Sequence, residues 1–248
     1  MPTDRKADTI ARDLLERIVR GDIAVGDLLP KEDELAASYG SARSVVREAI
    51  KLLEVHKLVR PTRRLGTVAL DPLASPSPDV VRAMLVRGGT IDLDVFAGWL
   101  EIRAVLDVQM TVTATTRRTA ADLAALGEVL EGLRAAARDP AAFGRETARL
   151  ALVLARATQN PLFTVLAQWH ASVVADLEHV FVAIRSAGVP HVDGIALLVE
   201  CIRKKDEARA RELVEMFHAW ATPRLLAAAR LANGEAPPAP RARKRARQ

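Results

Sequence analysis

At 248 residues the chain is long enough for two domains with separate cores; half of it is hydrophobic, yet only 4% is aromatic. Its formal net charge of +5 favours polyanionic partners. The lone cysteine, Cys201, excludes an intrachain disulfide and suits a reducing cytoplasm, and no apolar run is long enough to make a membrane a partner. Met1–Ala7 is charged rather than signal-like.

The first predicted helix starts near Asp4 or Asp8 and ends at Arg20. Ala7, Ile10, Ala11, Leu14 and Ile18 form its apolar stripe, and Gly21 stops it. Asp22–Leu28 reads as a turn. A second short helix, about Lys31 to Tyr39, carries Glu32, Asp33 and Glu34 in its first turn, where the macrodipole favours negative charge. Gly40 closes it. In the third helix Val46, Ala49, Ile50 and Leu53 recur at helical spacing, while Arg43, Ser44, Arg47 and Lys51 fall on the other side. A short helix with a basic, hydroxyl-bearing outer face has the shape and sign for a DNA major groove. Leu58–Pro61 and Thr67–Leu70 read as two strands around a tip bearing Arg63 and Arg64, a wing able to reach phosphates or a minor groove. A solvated helix pair followed by an ordinary hairpin would leave the same pattern.

The segment 71–78, DPLASPSP, holds three prolines and reads as a connector, so residues 1–70 are expected to form one domain. Residues 79–233 read as an all-α bundle of six or seven helices. The expected helices are roughly Pro78–Val86, Asp92–Arg117, Thr119–Arg138, Pro140–Thr158, Pro161–Ser186, Val192–Lys204 and Asp206–Asn233. Thr119 with Asp122 makes a capping box, and Asp139-Pro140 and Asn160-Pro161 place an N-cap before a proline at the first helical position. The helix from Asp92 is apolar around most of its girth, as a central buried helix should be. The tail 234–248, rich in Pro, Ala and Arg, reads as disordered and basic. The fold class is therefore mainly α with a small β wing.

Leu29-Pro30, Glu32, Leu35-Ala36, Gly40, Arg43, Val46-Arg47-Glu48-Ala49, Leu52-Leu53, Leu58-Val59-Arg60 and Gly66-Thr67 closely resemble the winged-helix signature of GntR-family bacterial transcription regulators. The resemblance implies binding to double-stranded operator DNA as a homodimer, with Arg43, Ser44 and Arg47 in the groove and Arg63 and Arg64 in the wing. The chain departs from the pattern where Asp33 replaces a common DNA-touching arginine, Ala42 a common hydroxyl and Arg64 a common wing glycine.

Leu100-Glu101-Ile102-Arg103 with Asp107, then Ala155–Leu162, then Asp206–Glu215, resemble the effector domain of the FadR subfamily. That implies a small effector held inside the bundle. Many members, the FCD branch, also hold a metal with one Asp and three His. The implied ligand positions here fall at Thr147, Ala151, about Ile195 and about Phe217, so no metal or other cofactor is expected. The acyl-CoA-sensing type, which needs no metal, then fits better, with a long-chain acyl-CoA or fatty acid among apolar side chains including Val105, Val153, Leu154, Val165, Leu166 and Phe181. An FCD-type regulator sensing a small carboxylate, with or without a metal, is the alternative. Arg103 lies four residues before Asp107 and reads equally as an i,i+4 salt bridge or as an anchor for an anionic effector. No Gly-rich phosphate loop, nucleophile elbow, HExxH or convergent carboxylate pair points to an enzyme.

Overall fold

The computed structural model describes residues 5–185 and 189–235 and divides into two compact units, Met1–Asp92 and Leu93–Gln248. The basic tail lies outside the described residues from position 236 onward.

In the first unit, helix α1 (Lys6–Arg20) turns Ile10, Leu14 and Ile18 inward and ends at Gly21, whose φ of 81° is the left-handed stop the sequence foreshadows. Helix α2 (Glu32–Ser38) starts with Glu34 reaching back to accept from the Lys31 amide at 3.0 Å. Helix α3 (Arg43–Val55) buries Val46, Ala49 and Leu53 completely. Strands β1 (Val59–Thr62) and β2 (Gly66–Ala69) then pair antiparallel, Val59 opposite Ala69 and Thr62 opposite Gly66. Arg64 sits at the tip of this wing with φ 65°, a conformation glycine adopts more readily, so the arginine there is held against its own backbone preference.

The expected connector at 71–78 belongs instead to this unit. Pro72–Ala74 forms a single 3-10 turn, and Ser75 and Ser77 are buried. Ser75 donates to the His56 carbonyl, and the Ser77 hydroxyl lies 2.8 Å from His56 Nδ1. Ser77 also caps helix α4 (Pro78–Leu85), whose Val80 is fully buried in the same core as Leu14 and Leu53. Pro72 and Pro78 each start an element here rather than spacing domains. A short hairpin that periodicity does not reveal, β3 (Val86–Arg87) with β4 (Thr90–Ile91), completes the unit. Its turn uses Gly88 and Gly89, both at positive φ (58° and 83°), as a type I′ hairpin requires.

The second unit is a bundle of seven α-helices among the described residues: α5 (Leu93–Arg117), α6 (Ala120–Ala135), α7 (Pro140–Ala157), α8 (Pro161–Val173), α9 (Glu178–Arg185), α10 (Val189–Lys204) and α11 (Glu207–Ala232). The expected caps form. Thr119 and Asp122 bond reciprocally, Asp139 accepts from Ala141 and Ala142, and Asn160 accepts from Leu162. Helix α5 packs along α11 and also meets α7, while α7 touches α8 and α9. Two expectations need correction. The single helix expected over Pro161–Ser186 breaks at a 3-10 turn, Ala175–Leu177, behind the β-branched pair Val173-Val174 and a Ser172 hydroxyl that bonds back to the Trp169 carbonyl. Helix α5 is not buried all round, since Ile102 and Val105 are exposed, as are Val165 and Leu166 on α8. No single described helix is long and apolar enough to cross a membrane.

Candidate nucleic-acid interface and effector cavity

Because the apolar stripe of α3 is locked into the first core, its opposite face is left to solvent. Arg43, Ser44 and Arg47 are all exposed there, and Arg63 and Arg64 are exposed on the wing. The two arginines of α3 are not loose. Arg43 pairs through Nε with Asp33, and Arg47 Nε donates to Glu32 Oε2 at 2.7 Å. Lys51, one turn on, meets Glu48 at 2.9 Å. The acidic first turn of α2 thus lies against the basic face of α3, an arrangement that helical spacing within either helix does not disclose.

In the second unit a cavity of about 230 Å³ opens between α5, α7, α8 and α9. Trp99, Arg103, Leu106 and Asp107 line it from α5, Gly144, Ala148 and Ala151 from α7, Phe163, Ala167 and His170 from α8, and Phe181 and Arg185 from α9. The Arg103 guanidinium lies 5.7 Å from the Trp99 ring centre and 5.6 Å from that of Phe181, and its Nε is 3.3 Å from Asp107. The i,i+4 bridge therefore exists. Nε is the atom that meets Asp107, so the terminal fork of Arg103 is left over for a further acceptor. His218 of α11, one residue beyond the register that the resemblance suggested, is buried with Nε2 3.2 Å from the same carboxylate. Across the cavity Arg185 is held by both oxygens of Glu178. Trp99 Nε1 and His170 Nδ1 are buried without a hydrogen-bond partner. Buried polar groups are seldom left so; both residues line the cavity, with these two nitrogens enclosed behind its surface.

Burial works to raise the pKa of Asp107, but the His218 contact and the Arg103 charge outweigh it and hold the carboxyl below its ordinary value. Burial lowers both His170 and His191. Asp107 partly offsets this for His170, and a backbone hydrogen bond at Ile184 does so for His191. The unfolded chain therefore takes up protons on these histidines before the folded chain does. Stability present above about pH 6.5 should be lost as pH falls below it, with a further loss at lower pH as Asp107 is protonated. Melting temperatures read between pH 7.5 and 5.5 should fall, and less so in His170→Gln and His191→Gln. A flat profile would contradict this.

The four positions implied for a family metal do not supply a ligand set. Thr147 donates its hydroxyl to the Gly144 carbonyl, Ala151 lines the cavity with a methyl group, and Ile195 and Phe217 are hydrocarbon. Among the described residues no group of three or more His, Cys, Asp or Glu is placed to hold a metal ion.

Residues 6–68 match the family of bacterial regulatory proteins called gntR, and residues 99–218 match the FCD domain. An uncharacterized HTH-type transcriptional regulator of Mycobacterium tuberculosis is 29% identical over 87% of this chain and 88% of its own. The galactonate operon transcriptional repressor of Escherichia coli is 25% identical over 66% of this chain and 72% of its own, and the repressor NanR of Cronobacter sakazakii 26% over 88% and 87%. Among solved structures, that of Lar, which controls the Listeria monocytogenes agr system, superposes with a TM-score of 0.61 at 18% identity, over 91% of this chain and 98% of that one. The match of the second unit is to the FCD domain, the branch that sequence reading set aside when the metal positions came up empty. None of these similarities points to an acyl-CoA.

Proposed function

Because the chain is a GntR-family transcription regulator with an FCD effector domain, we propose that it binds operator DNA as a homodimer through Arg43, Ser44 and Arg47 of α3, with Arg63 and Arg64 of the wing on the backbone or minor groove. The dimer reading is supported by exposed apolar side chains on the helical unit, Ile102 and Val105 on α5 and Leu162 and Val165 on α8. We further propose that the effector is a small carboxylate, not an acyl-CoA, and that it binds without a metal. One observation carries this reading: a cavity of about 230 Å³ whose wall holds the Arg103 guanidinium, already flanked by Trp99 and Phe181 and met by Asp107, together with His170 and Arg185. Sites for drug-sized ligands run to about 300–1,000 Å³, and an acyl-CoA is larger still. The galactonate operon repressor, a relative named for a sugar-acid operon, is consistent with an anion of this size.

Calorimetry of the full chain against a series of three- to six-carbon hydroxycarboxylates that includes galactonate, with palmitoyl-CoA as the lipid arm and each run repeated in EDTA, tests the proposal. Binding of a hydroxycarboxylate that is unchanged by EDTA is expected. Saturable binding of palmitoyl-CoA alone would restore the lipid reading. Binding abolished by EDTA and restored by one equivalent of a divalent ion would restore a metal.

A further inference from the structure

The acidic first turn of α2 does more for α3 than neutralise it. An arginine presents five N–H groups in a planar fork, and a carboxylate seated on Nε occupies the side of the fork while leaving the two terminal nitrogens pointing forward. Asp33 meets Arg43 in this way, and Glu32 meets Arg47 at 2.7 Å. Both arginine side chains remain mostly exposed, 65% and 62%, so the pairs leave the groove-facing surface open. Guanine is the one base that offers two acceptors, O6 and N7, side by side on its major-groove edge, the complement of that forward fork. An unheld arginine can bend toward phosphates instead and would then contribute affinity without sequence preference.

We propose that Asp33 is a specificity-determining residue: by holding Arg43 at Nε it commits the Arg43 fork to a guanine in each half-site. This rests on α3 being the reading helix. It also reverses the simplest expectation for an acidic residue beside DNA, namely that Asp33 only repels phosphate. As a positioning residue it touches no base, and its effect is carried by Arg43.

The two accounts differ in a ratio. Removing the charge of Asp33 should raise affinity for every sequence under either account, so affinity alone decides nothing. Discrimination between bases at the Arg43 position is immune to that uniform gain. Selection from a randomised duplex library by the full-length protein, followed by binding to duplexes altered at single positions, would measure it for wild type, Asp33→Asn and Arg43→Lys. The wild type is expected to prefer guanine over adenine by roughly 10- to 100-fold at one position of each half-site. Arg43→Lys should lose that preference, and Asp33→Asn should reduce it to about threefold or less at the same position while preferences elsewhere persist. Because the Asp33–Arg43 pair lies on the surface, its loss should leave the melting temperature within a degree or two. An Asp33→Asn protein that binds everything more tightly yet keeps the full guanine preference would overturn the proposal. So would an Arg43-dependent preference for a base other than guanine. If Arg43→Lys changes no preference at any position, the reading-helix assignment itself falls, and the proposal with it.

Discussion

Replacing Arg47 by alanine is expected to weaken operator binding by about 1–3 kcal/mol, with Arg43→Ala similar in size. Each side chain has its terminal nitrogens available for a base edge. Arg47 is exposed on the face of α3 opposite Val46, Ala49 and Leu53, and its bond to Glu32 occupies Nε alone. A surface pair of this kind contributes about 0–1 kcal/mol to folding, so the variant should melt close to wild type and the loss should appear in DNA affinity. Lys51→Ala supplies the contrast. An ammonium directed at phosphate should weaken all sequences alike and lower the salt slope by about one. Fluorescence anisotropy with the selected operator and a scrambled duplex, at two salt concentrations, separates the two behaviours. Full operator affinity in both arginine variants would remove α3 as the reader.

How far the sequence alone reaches depends on whether a feature is local. Stripes, caps and prolines at N1 are written within a few consecutive residues, and helices α1, α2, α4, α5 and α7 and the wing appear in the structure within a residue or two of where those signals put them, while α6 ends at Ala135, three residues before the expected Arg138. Interactions between elements are not written that way. Nothing in the run 71–78 says that Ser75 and Ser77 will bond to His56, nineteen and twenty-one residues earlier, so residues expected to be a connector became part of the first unit. The β3–β4 hairpin was hidden because two-residue strands carry no measurable periodicity, and only the Gly88-Gly89 pair hinted at it. The break after Val173 depended on a single back-bonding serine. In the cavity, Arg103 and Asp107 were legible as an i,i+4 pair on one helix. His218 was not, because it comes from α11 and meets Asp107 only through the packing of α5 against α11. Phe181, expected as one of the apolar side chains around an acyl chain, is the ring that with Trp99 flanks the Arg103 guanidinium. The preference for an acyl chain came from the missing metal-ligand positions and from the apolar residues of the bundle. What it missed is that Val105 and Val165 face outward, which leaves a small cavity with charged groups on its wall.

Arg103→Ala is expected to abolish the effector response while leaving operator affinity without effector unchanged. The side chain is held on three sides, by Trp99, Phe181 and Asp107, so its fork is oriented before any ligand arrives and little further ordering is needed on binding. A hydrogen bond to a charged group contributes about 1.5–3 kcal/mol, and a carboxylate taken by both terminal nitrogens makes two, so removal should lower affinity by more than tenfold. Arg103→Lys keeps the charge but not the fork and should recover only a small part of it. The same substitutions also break the bridge to Asp107, and a purely structural role must be told apart from anchoring. If Arg103 only secures α5, Arg103→Ala should lower the melting temperature and leave ligand affinity and the DNA response as they were. If it is an anchor, ligand heat disappears in calorimetry whether or not some stability is lost as well. Operator DNA supplies a second, independent reading. A ligand changes DNA affinity only by binding the DNA-competent and incompetent states differently, and by reciprocity saturating operator changes ligand affinity by the same factor. In the wild type the two factors, measured separately by anisotropy and calorimetry, should agree. In Arg103→Ala the DNA affinity should no longer move with ligand at concentrations that saturate the wild type. An unchanged ligand-dependent shift in operator affinity in that variant would place the anchor elsewhere on the cavity wall, with Arg185 the next residue to replace.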